Sequence, residues 1–255
     1  MRRRNPAMRE RFPAIAGILL LLVLLGLLEW AVRAGAVSPF AAPPPSEVWK
    51  AGIMLFREER LAQAFLLTLG LVFAATLAAA AAGLAAGWLL YRHTALGRAY
   101  ESWLAALFSA PLILFYPLFL VLFGRTLLTI VVIGFLAGVI PIIMKSREGL
   151  IAVPQVLVNV ARSFKMRERD IFFKVLLPSA LPTIFTGLRL GFIYATINVV
   201  AIEYLANFGG LGFMVGEMYD RFDIPAMYAS VVFVIAVSVV GFYAAEKIER
   251  SLRSA

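Results

Sequence analysis

Apolar residues in this chain come in long runs, and the charges between them are gathered into short clusters. Six runs, at about 12–34, 61–91, 102–124, 126–144, 183–205 and 224–245, approach or exceed the roughly 20 residues an α-helix needs to cross a bilayer. The pattern predicts an all-α membrane protein with six transmembrane helices in a single domain, residues 1–255. A further helix is predicted outside the runs. After the extended, proline-rich stretch at 38–45, Ser46 caps a segment reaching residue 60, in which Trp49, Ile53 and Phe56 share one face while Lys50, Arg57 and Glu58 point elsewhere. That distribution suits a helix lying in the outer membrane interface.

Small residues and prolines are placed unevenly within the runs. Gly83 and Gly87 stand four apart, a spacing that lets helix backbones approach closely. The third run carries Pro111 and Pro117 on either side of Tyr116, so it is expected to bend at both prolines and, as a broken span, to line a pathway. Residues 91–101, with Arg92, His93 and Arg98, are expected to be a short inner loop. The fourth run carries Gly134, Gly138 and Pro141. Glu29, near the far end of the first, is close enough to the interface to serve as an anchor.

The longest charged segment lies between the fourth and fifth runs, residues 145–182. Its centre, NVARSFKMRERDIFFKVLLPSALP from Asn159 to Pro182, must sit in water, and it predicts two short amphipathic helices. The first ends near Lys165, Met166 to Asp170 form the turn, and a second from Ile171 to Leu177 is stopped by Pro178.

The fifth run alone has ionisable groups well inside it. At 100° per residue, Arg189, Thr196 and Glu203 fall within about 40° of one another and make a polar stripe. Arg189 and Glu203 are about 21 Å apart along the helix, too far to pair. Arg125, in the turn before the fourth run, is at the depth to pair with Glu203, whereas Arg189 is near enough to the inner surface to snorkel.

Composition narrows the classes. With 62% hydrophobic residues and a mean hydropathy of +0.89, the chain is too apolar for a soluble domain. Its net charge of +9 reflects loop placement rather than a nucleic-acid partner. Putting both ends in the cytoplasm leaves six Lys and Arg outside. Inside are five before the first run, two at 92–98, seven between 145 and 182 and three in the tail, as the positive-inside rule requires. There is no cysteine, His93 is the sole histidine, and no zinc spacing or acid–base set points to bond chemistry. A phosphate loop ending in Gly-Lys-Ser or Gly-Lys-Thr is absent, so any ATP must be bound by a partner.

Three stretches resemble one family. The segment around Asn159 is similar to the cytoplasmic coupling loop of ABC importer permeases, with Asn159, Val160, Ala161 and Arg162 in its front part, Lys165 where that family has glycine, and Val175, Leu177 and Pro178 at its close. APLILFYPLFLVLFG resembles the family's third span. TGLRLGFIYATINVVAIEYLANFGGLGFMV places Arg189, Glu203, Gly210 and Gly212 where permeases for nitrate, sulfonate and taurine have theirs, with Gly210 and Gly212 in a structural turn. The resemblance implies a type I ABC importer permease that is not an enzyme and has no cofactor of its own, ATP-Mg being held by the partner ATPase. Its implied partners are a second copy of the chain, two ATPase subunits and an extracytoplasmic solute-binding protein. Its implied place is the bacterial inner membrane, with both termini cytoplasmic. The expected substrate is an organic or inorganic anion, a vitamin precursor or aromatic acid being the alternative. Pro111, Tyr116, Pro117, Arg189, Thr196 and Glu203 are the pathway candidates. A secondary transporter, the rival reading, would show an inverted repeat and an ion site at midplane.

Overall fold

A computed structural model describes residues 6–57 and 59–253, so Arg2, Arg3 and Arg4, Glu58 and the last two residues lie outside the described residues. Every regular element among the described residues is helical. Helices α1 (Pro6–Arg33), α3 (Glu59–Arg92), α6 (Leu127–Ile151), α9 (Leu177–Ala206) and α11 (Ile224–Arg253) supply five segments long and apolar enough to cross a membrane. The sixth is a bent pair, α4 (Thr94–Ser109) and α5 (Tyr116–Phe123), meeting at 80°.

That elbow departs from the expected pair of bends. Pro111 ends the first arm and caps a 3₁₀ turn, Leu112–Phe115, but Pro117 lies in the first turn of α5. There its missing N–H would have had no intrahelical partner anyway, so it starts a helix instead of bending one. The expected inner loop at 91–101 is also mostly helix, because α4 begins at Thr94 directly after the exposed His93. Gly97 lies against the Leu90 carbonyl and the Arg147 side chain, and Arg147 pairs with Glu101 at 3.1 Å. Tertiary contact thus holds as helix a stretch whose charges suggested a loop.

The core is the packing of α3, α6 and α9, with Leu71, Ala75, Ile130, Ile133, Ala195, Val199 and Ile202 buried together. Lipid is as apolar as these side chains, so close packing rather than exclusion from water holds the three helices. A Cβ at Gly83 would stand 2.6 Å from Ile142, and one at Gly87 would stand 2.6 Å from Ser146. Both glycines therefore let α3 seat on α6, as their spacing predicts.

Helix α1 is exposed along its leucines, and its far end is tied down by polar contacts. The Glu29 carboxylate accepts from the Ser46 N–H at 3.0 Å and from the Ser46 hydroxyl at 2.8 Å, and pairs with Arg33 at 2.6 Å. Ser46 was expected to cap α2 (Pro45–Arg57); a carboxylate from the neighbouring helix does so instead. An acidic group at the start of a helix satisfies its orphan donors and complements its dipole. Trp49, Ile53 and Phe56 of α2 are exposed on the face expected to meet lipid.

Candidate functional site

Two regions concentrate the predicted residues: the segment after α6 and the junction of α9 with α10 (Gly210–Asp220). In the first, α7 (Gln155–Ser163) ends in a left-handed turn at Lys165, whose φ is 54°. The Lys165 N–H donates to the Arg162 carbonyl at 2.8 Å and the Met166 N–H to the Ala161 carbonyl at 3.2 Å. This is the Schellman pair of bonds that closes a helix, with Met166 and Ala161 also sharing an apolar cluster. The turn that a glycine would favour is kept although Lys165 has a Cβ. A left-handed residue with a Cβ costs about 1 to 2 kcal/mol. Lys165→Gly is therefore expected to raise the melting midpoint in detergent by about 2 to 8 °C. An unchanged or lower midpoint would show that the exposed lysine makes a contact worth as much as the strain.

After this turn, α8 (Glu168–Ile171) begins, and Arg162 pairs with Glu168 at 3.3 Å across it. Pro178 does not stop the following helix. A π turn, Phe172–Leu176, joins α8 to α9, and Pro178 occupies the first turn of α9, which continues to Ala206. The wider π turn relieves the clash between a proline ring and the carbonyl four residues back. Val158, Ala161, Ile171 and Leu176 are buried with Leu150, Ala180 and Ile184, and Val175 and Leu177 pack against them. Helix α7 is thereby clamped to the C-terminal end of α6 and the N-terminal end of α9 by one face. Its other face is bare: Val156, Val160 and Phe164, four apart, are 68%, 49% and 78% exposed, and Asn159 and Arg162 are exposed beside them. The spacing of Val156 and Phe164 from Val160 was legible in the sequence, though neither was singled out.

At the second region, Glu203 is 0% exposed. Its carboxyl oxygens accept from the Thr68 hydroxyl at 2.9 Å and from the Gly212 N–H at 3.0 Å, and the Thr68 oxygen accepts from the Leu211 N–H at 2.9 Å. A carboxyl group on α9, with a hydroxyl on α3, thus holds the N-terminus of α10. The glycines make this possible. Gly209 and Gly210 have φ of 89° and 87°, and a Cβ on Gly210 would fall on the Glu203 carboxyl. A Cβ on Gly212 would collide with the Val200 carbonyl and stand 2.9 Å from the Glu203 Cβ. The expected pairing of Glu203 with Arg125 is not made. Arg125 donates to the Asn207 carbonyl at 2.6 Å and lies over the Phe208 ring, holding the left-handed end of α9. A guanidinium near a helix C-terminus meets unpaired carbonyls, which compete well for it.

The polar stripe is divided among neighbours. Thr196 is buried and donates to its own helix at the Phe192 carbonyl, 2.8 Å away, while the Arg189 guanidinium lies 5.4 Å from the centre of the Phe242 ring on α11. Pro111 and Pro117 are exposed on the elbow, and Tyr116 packs against the main core. Thr68 is the partner that sequence reasoning missed; a lone threonine in an uncharged run carries no signal of it. Among the described residues no three His, Asp or Glu converge to hold a metal ion.

Residues 76–254 match the family described as binding-protein-dependent transport system inner membrane component. The chain belongs to that family. As a member it is an inner-membrane transport permease of the ABC importer class, a component without enzymatic activity that works with an ATPase and a binding protein. It is 25% identical over 250 residues to the formylaminopyrimidine transport permease ThiX of Halalkalibacterium halodurans, covering 96% of this chain and 97% of that one. It is 28% identical to the bicarbonate transport permease CmpB of Synechocystis sp., over 88% and 82% of the two chains. With the nitrate import permease NrtB of Leptolyngbya laminosa it shares 31% identity, over 66% of this chain and 62% of that one. Its fold matches a chain of the inward-facing MetNI methionine ABC transporter with a TM-score of 0.67 and 22% identity, over 76% of this chain and 96% of that one.

Proposed function

We propose that this permease pairs with a second copy of itself, that each copy docks α7 into one ATPase subunit, and that the pair imports a small oxyanion. The observation that carries the docking role is α7 itself, clamped by Val158 and Ala161 yet bare along Val156, Val160 and Phe164. A rigid helix fixed to α6 and α9 transmits displacement, and an exposed apolar stripe offers a partner something to bury. The charge bias supports an orientation with α7 and both termini in the cytoplasm, where ATP is. In each cycle, closure of the two ATPases moves the α7 pair, and the pathway between the copies opens alternately to the two sides. ATP-Mg stays with the ATPases.

The substrate class rests on relatives named for nitrate and bicarbonate import. A second reading, a pyrimidine precursor, is favoured by the nearly full-length similarity to ThiX. Of the pathway candidates, we assign Glu203 and Thr196 to holding the fold, because each is buried and bonded within the subunit. Pro111, Tyr116 and Pro117 shape the elbow facing the pathway, and Arg189 stands at its inner end. Co-expression with the partner ATPase and binding protein, followed by reconstitution in liposomes, tests the whole. ATP hydrolysis should rise several-fold with the liganded binding protein, and nitrate or bicarbonate should be the ligand captured. Uptake that persists without ATP and collapses with the proton gradient would refute the reading.

A further inference from the structure

At the end of the bundle that carries α7, a cleft of about 1110 Å³ opens between the end of α3, the end of α6 and the α7–α9 segment. Its floor is apolar, formed by buried Leu150, Val153, Val158, Ile171 and Leu176. Its rim is a run of rings. Trp88 meets Phe172 edge-on at 6.0 Å, and Phe172 meets Phe173 at 5.0 Å. An arginine stands at each end of that run, Arg92 over Trp88 at 5.6 Å and Arg169 over Phe173 at 5.9 Å. The cleft's other arginine, Arg162, is paired with Glu168. Arg92 and Arg169 have no carboxylate within ion-pair distance among the described residues, so the rim carries net positive charge.

We propose that this cleft binds an anionic phospholipid of the surrounding leaflet, its headgroup drawn to the rim that carries Arg92 and Arg169 and the upper part of an acyl chain on the apolar floor. Three features select that occupant. The cleft lies where membrane-spanning helices end, and aromatic rings at that depth mark the bilayer interface. Guanidinium groups recognise phosphate by paired donors, and basic clusters beside span ends attract anionic headgroups. The floor beneath them would be wasted on an inorganic anion, whose surface is polar throughout. Because Val158 in the floor and Arg162 in the lining both belong to α7, an occupied cleft joins the bilayer to the helix proposed to meet the ATPase.

The test uses the complete permease assembled with its ATPase in nanodiscs. The chain has four tryptophans; replacing exposed Trp30, Trp49 and Trp103 by phenylalanine leaves Trp88 as its reporter, with an ATPase subunit whose own tryptophans are likewise replaced. Brominated phosphatidylglycerol should quench Trp88 at about 30-fold lower concentration than brominated phosphatidylcholine, the preference expected of two basic groups. Arg92→Gln combined with Arg169→Gln should bring the two lipids within twofold, and the matching pair of lysine substitutions should keep most of the preference. Equal quenching in the starting protein, or a preference that survives the glutamine pair, overturns the proposal. So does a preference present in the free permease but lost in the assembly, which would mean that the ATPase covers the cleft. Release of the brominated lipid by millimolar inorganic phosphate would make this a free-anion site, and the lipid reading would fall.

Discussion

Glu203→Ala is expected to destabilise the permease by about 3 to 5 kcal/mol, the cost of leaving buried donors unpaired beside a new cavity. The side chain is fully buried, and its removal strands the Thr68 hydroxyl and the Gly212 N–H at once. In a bilayer no water is at hand to replace the lost acceptor, and the start of α10 loses the group that complements its dipole. Glu203→Gln should cost far less, because one amide oxygen still accepts from Gly212 while the amide nitrogen donates to the Thr68 oxygen. Thr68→Val should fall between them, since it leaves the Leu211 N–H without its partner. Thermal denaturation in detergent, followed by circular dichroism, should rank the variants Gln, Val, Ala in increasing loss. A double variant, Thr68→Val with Glu203→Ala, should lose less than the sum of the two singles, because both remove the same bond. Full additivity, or an alanine variant as stable as the parent, would sink the view that this carboxyl group is a structural latch. Impaired transport with undiminished stability would instead return Glu203 to the pathway.

The hydrophobic runs made five of the spans legible, because lipid demands long uncharged helices and leaves little freedom in reading them. The exceptions occur where contacts distant in sequence decide local structure. Charge at Arg92, His93 and Arg98 suggested a loop, but Arg147 on α6 reaches back to Glu101 and packs on Gly97. Pro178 suggested a stop, but a π turn before it changes the register that the proline would otherwise break. At the α9–α10 junction the angular arithmetic placed Arg189, Thr196 and Glu203 on one side of a helix. It could not say what that side faces, since Thr68 is 135 residues away in the chain. The resemblance read from the sequence supplied the motif of Glu203, Gly210 and Gly212, while the reason for the glycines is geometric. Each stands where a Cβ would occupy space held by the Glu203 carboxyl or by the backbone of α9.

The second large effect is expected at α7. Phe164→Asp should abolish stable association with the ATPase while leaving the permease's own melting midpoint nearly unchanged. Phe164 ends the bare stripe and is 78% exposed, so the isolated permease gives up almost no packing when it is replaced. A buried aromatic anchor at an interface is commonly worth 2 kcal/mol or more, which corresponds to about 30-fold in affinity. A carboxylate forced into the same apolar contact adds its desolvation cost. Val160→Asp should act in the same direction, with a smaller loss from the smaller contact. Val158→Ala is the contrasting substitution. Val158 faces inward against Leu150 and Ile171, so shortening it should lower the melting midpoint while the ATPase, once assembled, remains bound. Co-purification and the binding-protein-stimulated ATPase rate, measured beside the melting curve for each variant, separate the two faces of the helix. If Phe164→Asp left both association and stimulation intact, the bare stripe would not be the ATPase contact. If it lowered the melting midpoint as much as Val158→Ala, the stripe would be covered within the permease dimer instead.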